Sequence, residues 1–449
     1  MKKLNKLLFL IFFLFSYMNA KSFYINEPIF NTKVFIQTHG NSSKEPIVLV
    51  HGLGDNASRI WKDTIEKFKN DYYIITFDLP GFGRSTKENK ELTPRTYSLF
   101  IDYVTSLYTK KPFFLIGHSM GGAISLKYTS MYPKKVKKLL LIDAAGILHR
   151  DTYSGFLINT GIDKFFKIKK LEPITNQITD LFSQVTNSLQ ELIPSDLSLV
   201  LRTAYIRKML FQNNTTSIAA VGLVMEDYSK VVYNINTPTE ILWGENDAIA
   251  PVRTGYVLHK IIPNSKFKII PNSQHVPIID SKEIYLKYVD GFLKNSNVSK
   301  KRELSSFNTK DLLVQNQNEV KITGVYKNLK IVNSRNIIID SSKIEKLEII
   351  NSEVEIIGST ISSKDIAIDV SNSNLKITTS DISANDAIIL TNSTLDIAGT
   401  NIFAKNNAFL SYDDKIENTI ILSLSKINSR FNDNKIFHTK IKFNQNNRL

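Results

Sequence analysis

Phe113-Phe114-Leu115-Ile116-Gly117-His118-Ser119-Met120-Gly121-Gly122 decides how this chain is read. The four apolar residues make a short buried strand, and Met120–Met131 has the pattern of a helix. Between them lies Gly-x-Ser-x-Gly, the pattern of a sharp strand–turn–helix elbow. Such a turn strains the serine backbone, and its glycines leave room for neighbouring chain. It lifts the Ser119 hydroxyl above the sheet edge. The start of the helix offers backbone N–H groups, Met120 first, to a developing oxyanion. Ser119 is therefore the candidate nucleophile.

Outward from the elbow, residues 30–295 alternate short apolar runs with longer amphipathic stretches. The runs Lys33–Thr38, Ile47–His51, Tyr72–Asp78, Phe113–Gly117, Lys138–Asp143, Thr239–Trp243 and Lys266–Ile270 predict strands. Trp61–Phe68, Thr93–Tyr108, Met120–Met131 and Lys282–Leu293 predict helices between them. This order implies a mostly parallel sheet covered on both faces, an α/β fold. The alternation stops between about Ile147 and Tyr233. Helical segments such as Asn176–Leu192 and Ser198–Leu210 predict an inserted cap over the ligand crevice (about 147–235). Its apolar runs Phe156-Leu157-Ile158, Phe165-Phe166 and Leu181-Phe182 line a pocket or pack the cap onto the core.

A serine hydroxyl needs a base. His275 follows the last predicted strand, on the same sheet edge as Ser119. His51 ends an earlier strand and is expected to hold a loop. His118 is too close in sequence to bend back onto Ser119. His39, His149, His259 and His438 have no comparable setting. The base in turn needs an orienting carboxylate. Asp247, after the strand Thr239–Trp243, suits that part, and Asp143, after Leu139-Leu140-Leu141-Ile142, is the alternative acid. A second oxyanion donor is expected from the Gly-rich turn His51-Gly52-Leu53-Gly54, with the Leu53 amide beside that of Met120. No metal or organic cofactor is implied.

With these motifs together, residues 30–295 resemble the α/β-hydrolase family of lipases, esterases and carbon–carbon-bond hydrolases. The order Ser119, Asp247, His275 is that family's order. The phrase Asp78-Leu79-Pro80-Gly81-Phe82-Gly83-Arg84-Ser85 matches its Asp-x-Pro-Gly-x-Gly-x-Ser segment, in which Asp78 and Arg84 are structural. The resemblance implies an eight-stranded sheet with a helical cap. Haloalkane dehalogenases and epoxide hydrolases share the fold but use an Asp nucleophile, and Ser119 argues against both.

The tail repeats. Asn-Ser recurs at Asn333-Ser334, Asn351-Ser352, Asn372-Ser373 and Asn392-Ser393, spaced 18, 21 and 20 residues apart. A second phrase, Gly358-Ser359, Thr379-Ser380 and Gly399-Thr400, keeps the same period. Such spacing is that of single solenoid rungs. Residues 319–449 are thus expected to form an all-β domain that resembles the right-handed parallel β-helix, with Asn ladders at its turns. A β-sandwich is the alternative. Residues 296–318 read as a linker.

The chain has 449 residues, enough for two domains, and 42% are hydrophobic, which excludes wholesale disorder. It has no cysteine, which excludes disulfides, thiolate metal sites and a catalytic thiol. Residues 1–20 combine lysines at 2, 3 and 6 with the apolar run Leu7–Phe15 and a closing Ala20. That is a signal peptide, expected to deliver the protein to the periplasm or beyond, or to tether it if uncleaved. Net charge is +15, yet residues 301–449 hold 19 basic against 17 acidic side chains. The excess therefore sits on the first domain, as scattered lysines rather than a nucleic-acid-binding stripe. Anionic membrane or envelope polymer is the expected partner of that charge, beside a small-molecule or lipid ester substrate. The same residues also suit an acyltransferase or a C–C or amide hydrolase. A surface-binding role through the tail is the third class.

Overall fold

The computed structural model describes residues 21–148, 201–294, 310–411, 417–430 and 439–444. The signal segment, the cap stretch 149–200 with its apolar runs, and linker residues 296–309 lie outside them. The chain forms two compact units that divide near residue 298.

The first unit is built on eight strands: β1 (Lys21–Glu27), β2 (Thr32–His39), β3 (Pro46–Val50), β4 (Tyr73–Phe77), β5 (Phe113–His118), β6 (Val136–Ile142), β7 (Thr239–Gly244) and β8 (Ser265–Ile270). They lie in the order β1-β2-β4-β3-β5-β6-β7-β8. Pairing is antiparallel for β1 with β2 and β2 with β4, and parallel from β4 through β8. Every residue of β3, β4, β5 and β7 is buried, as a sheet covered on both faces requires. β1 is not among the strands expected from apolar runs. It is an edge strand with mostly exposed side chains, so burial leaves little trace in its sequence. The Glu27 carboxylate closes its hairpin by accepting the N–H groups of Ile29 (2.8 Å), Phe30 (3.1 Å) and Thr32 (3.2 Å).

From β3 the chain steps to β4 on one side, then returns to β5 on the other. That reversal opens a crevice at the carboxyl ends of β3 and β5, where the His51 loop and the Ser119 turn both begin. Helix Pro94–Tyr108 starts with Pro94 at its first position, and the Thr93 side chain accepts the Thr96 N–H at 3.2 Å. Helix Lys282–Lys294 buries Tyr285, Val289 and Phe292 in a cluster with Trp61, Phe68, Phe114 and Ile116. The described end of the inserted region holds helices Ala204–Phe211, Thr215–Val224 and Ser229–Val232. Gln212 and Asn213, at φ 48° and 63°, end the first of these, and the Asn214 side chain caps the second.

From residue 310 onward, the regular elements of the described residues are all strands. The chain alternates between two sheets, one running from Lys321–Ile322 to Thr439–Asn444 and the other from Lys310–Gln315 to Lys426–Arg430. Among the described residues every pairing in these two sheets is parallel, which sets the β-sandwich aside. Inward residues such as Ile331, Ile349 and Ile339, Ile356 fill one core between the sheets. The linker boundary at 318 needs correction, because strand Lys310–Gln315 pairs with Val325–Val332. This first rung lacks the Asn-Ser phrase. Asn316 nevertheless takes the left-handed turn, and the Gln317 N–H donates to Ser334 Oγ.

The repeated pair explains the corners. Asn333, Asn351, Asn372 and Asn392 all adopt φ near +50°, which a short polar side chain tolerates. Each following serine is buried, and its hydroxyl accepts the N–H of the equivalent residue one rung earlier. Ser334, Ser352 and Ser373 donate their N–H groups to Ser352, Ser373 and Ser393 Oγ at 3.0, 2.9 and 3.1 Å. A second ladder links Ser342, Ser359, Ser380 and Thr400 in the same way. Asn351 donates to Asn333 at 2.8 Å and Asn392 to Asn372 at 2.7 Å on the outside.

Candidate active site

Ser119 stands at φ 54°, ψ −123°, a strained conformation for a residue with a side chain. Two neighbours hold it there. Its N–H donates to the Ile142 carbonyl at 2.9 Å, and its carbonyl accepts the Ala145 N–H at 3.2 Å. The glycines on either side are steric requirements. A Cβ at Gly117 would lie 2.3 Å from the Gly121 carbonyl oxygen, and one at Gly121 2.2 Å from that of Val50. The helix thus packs its first turn directly on the ends of β3 and β5.

The structure brings Ser119, His275 and Asp247 into one line. His275 Nε2 accepts from Ser119 Oγ at 2.9 Å, and His275 Nδ1 donates to Asp247 Oδ2 at 2.8 Å. The other Asp247 oxygen accepts the N–H groups of Ile249 (2.8 Å) and Ala250 (2.9 Å). All three residues are buried. The His275 loop is held from several sides. Asn246 N–H donates to the Ser273 carbonyl, Asn272 N–H to Glu245, and Gln274 N–H to Asp280. Glu245 therefore serves the loop and not His275. Gly244 permits this closeness, since its Cβ would lie 2.0 Å from the Gln274 carbonyl oxygen.

His118 has a part that sequence reasoning did not assign. Its Nε2–H donates to the His275 backbone carbonyl at 2.8 Å, and the two rings lie 5.2 Å apart. Burial, with His275 beside it, pushes its pKa down to about 3, so it is neutral. His51 does hold a loop. Its Nδ1–H donates to the Gly52 carbonyl at 2.7 Å, and its Nε2 accepts the Leu79 N–H at 2.8 Å. Burial lowers its pKa to about 4. The Gly52-Leu53-Gly54 turn thereby rests against the nucleophile, and a Cβ at Gly52 would lie 2.8 Å from Ser119 Cβ. Met120 is the first residue of its helix, where a backbone N–H has no intrahelical acceptor. Asp78 and Arg84 form a structural pair below the site. Arg84 Nε donates to Asp78 Oδ2 at 2.7 Å, Ser58 donates to Oδ1, and the guanidinium stacks on Phe35. Burial raises the Asp78 pKa, but its Arg84 and Ser58 hydrogen bonds together outweigh that and bring it to about 2.

Asp143 is also buried, but it does not hydrogen-bond His275. Its backbone sits at φ 45°, and its Oδ1 accepts the Gly244 N–H at 2.8 Å. Asp247, not Asp143, is the carboxylate on the histidine.

The alpha/beta hydrolase fold family matches residues 45–282, more than half of the chain. The chain belongs to the α/β-hydrolase family. Among relatives of this hydrolase, Lipase 1 of Psychrobacter immobilis is 27% identical over 264 residues, 56% of this chain and 77% of that protein. The pimeloyl-[acyl-carrier protein] methyl ester esterase of Legionella pneumophila is 26% identical over 271 residues, 58% of this chain and 99% of that one. A solved esterase from Exiguobacterium antarcticum is similar over 61% of this chain and 100% of its own, at 22% identity and a TM-score of 0.45. The family match ends at residue 282, so the parallel strands of the second unit lie beyond it.

Proposed function

We propose that this α/β-hydrolase is an exported serine esterase that cleaves carboxylic esters through an acyl-enzyme. The observation that carries the reading is the continuous hydrogen-bond line from Ser119 Oγ through His275 to Asp247. As the Ser119 hydroxyl attacks the ester carbonyl, His275 Nε2 takes its proton. Asp247 keeps the opposite proton on Nδ1 and stabilises the imidazolium. The Leu53 and Met120 amides hold the oxyanion. His275 then returns its proton to the leaving alcohol and activates the water that releases the acid. The names of the lipase and methyl ester esterase relatives support an ester substrate. The lysine-led apolar leader supports export, and the +15 charge supports attraction to an anionic membrane or envelope polymer.

A fluorophosphonate probe tests the reading. Wild type is expected to be labelled and to turn over short p-nitrophenyl esters with water as the only acceptor. Ser119→Ala should lose both, falling by roughly 10⁴-fold or more in rate. Undiminished labelling of Ser119→Ala would overturn it.

A further inference from the structure

Two buried carboxyl groups lie at the ends of neighbouring strands, Asp143 after β6 and Asp247 after β7. Their hydrogen bonds are unequal. Asp247 accepts two backbone N–H groups on one oxygen and the His275 Nδ1–H on the other. Asp143 accepts one N–H, from Gly244, on Oδ1. Its Oδ2 is buried and accepts no N–H or O–H among the described residues, and the Asp247 carboxyl is its side-chain hydrogen-bonding neighbour. The side chain is wholly removed from water. Its backbone is fixed by its N–H, which donates to the Leu242 carbonyl at 3.1 Å.

A carboxylate oxygen shielded from bulk solvent and given no N–H donor costs several kcal/mol in general. The charged groups acting on it from the packed elements are Asp247 and Asp280, and both are acidic. Two adjacent buried carboxyls cannot both ionise cheaply, so one takes the proton. Asp247, with three donors, is the better anion. Burial and the Asp247 charge both hold the Asp143 carboxyl well above the usual range, against the opposing pull of the Gly244 N–H.

Resting on the triad reading above, we propose that Asp143 is a neutral positioning residue whose carboxyl proton is donated to Asp247. The pair then holds one proton and one negative charge. The proton matters to the base. Were Asp143 also ionised, a second negative charge behind the imidazole would favour imidazolium, which cannot accept the serine proton. A neutral Asp143 leaves the imidazole facing the single negative charge of Asp247.

The experiment uses the full chain with Asp143→Asn and Asp143→Ala. Infrared difference spectra of wild type against Asp143→Asn at neutral pH read the carboxyl directly and do not depend on turnover. A protonated carboxylic-acid stretch lost in the variant is expected, and its absence from wild type overturns the proposal. In the pH profile of kcat/KM, Asp143→Asn swaps one neutral donor for another. Its acid limb should superimpose on wild type, with kcat/KM within about threefold. Asp143→Ala deprives Asp247 of a donor, makes it more basic, and should move the acid limb upward. A downward shift in Asp143→Asn would mean that a charge had been removed, and would refute a neutral Asp143. An unmoved limb in Asp143→Ala would reduce the residue to scaffolding. If Asp143→Ala fails to fold, the asparagine profile and the infrared band still decide. Should the triad reading itself fail, Ser119→Ala reports that separately.

Discussion

Replacing Gly52 by alanine isolates the geometry of the oxyanion turn. The new Cβ would sit 2.8 Å from Ser119 Cβ and 3.3 Å from both His118 Nδ1 and the His118 carbonyl oxygen. Carbon atoms in contact lie at about 3.5–4.0 Å, so the overlap on Ser119 is roughly 1 Å. Ser119 cannot yield, because its turn is pinned to Ile142 and Ala145. The Gly52-Leu53 backbone must move instead, against the tether from His51. A displacement of that size costs about 10²-fold in rate. Loss of one oxyanion donor costs about 10²–10³-fold, near 3–4 kcal/mol of transition-state stabilisation. The expected result for Gly52→Ala is therefore a fall of about 10²–10³-fold in kcat on a p-nitrophenyl ester. KM should change far less, because the donor acts on the transition state. Circular dichroism and a thermal melt would establish that the variant is folded. If folded Gly52→Ala kept kcat within about threefold of wild type, the assignment of the 52–54 turn to the oxyanion would be refuted.

Further expectations concern stability. His51 and His118 are held neutral, with pKa values lowered to about 4 and about 3. A base whose folded pKa is depressed stabilises the fold above its unfolded value of about 6.5, and that contribution is lost as pH falls toward the folded value. Denaturant midpoints of the first unit should therefore fall by the equivalent of a few kcal/mol between pH 6.5 and 3, and a flat profile would contradict it. Asp78, lowered to about 2, stabilises above its unfolded pKa of about 4 and loses that below. Asp78→Asn should accordingly cost about 2 kcal/mol at neutral pH and progressively less at lower pH in chemical unfolding. In the second unit, Ser373→Ala strips the acceptor from the buried Ser352 N–H and should destabilise the strands by about 1–3 kcal/mol. Ser363→Ala, away from the two ladders, serves as the control, and equal melting of the two variants would count against the ladder.

Much was legible in residue order, and for identifiable reasons. Apolar runs such as Ile47–Val50 and Phe113–Ile116 must lie in a covered parallel sheet, because no exposed strand carries so little polarity. The elbow is legible because only glycine fits at 117 and 121. The rungs are legible because four of them repeat the same left-handed Asn and buried Ser. The sequence could also place Ser119 and His275 at one sheet edge, since both follow strands of the same direction. It was silent where burial leaves no periodic trace, as at the edge strand Lys21–Glu27 and in the irregular first rung at Lys310–Gln315.

Tertiary structure alone decided between the two aspartates. Asp143 and Asp247 each follow an apolar strand, so residue order favoured Asp247 but left Asp143 as the alternative. Only the packed loops direct Asp247 to His275 Nδ1 and supply it with the Ile249 and Ala250 amides, while Asp143 keeps a single backbone donor. His51 Nε2 found the Leu79 N–H and His118 Nε2 the His275 carbonyl in the same way, through contacts between residues far apart in the chain. The sequence by itself singled out the candidate side chains, because residue types and strand order are local facts. Which carboxyl holds charge and which holds a proton depended on burial and donor supply, and those exist only once the loops have met.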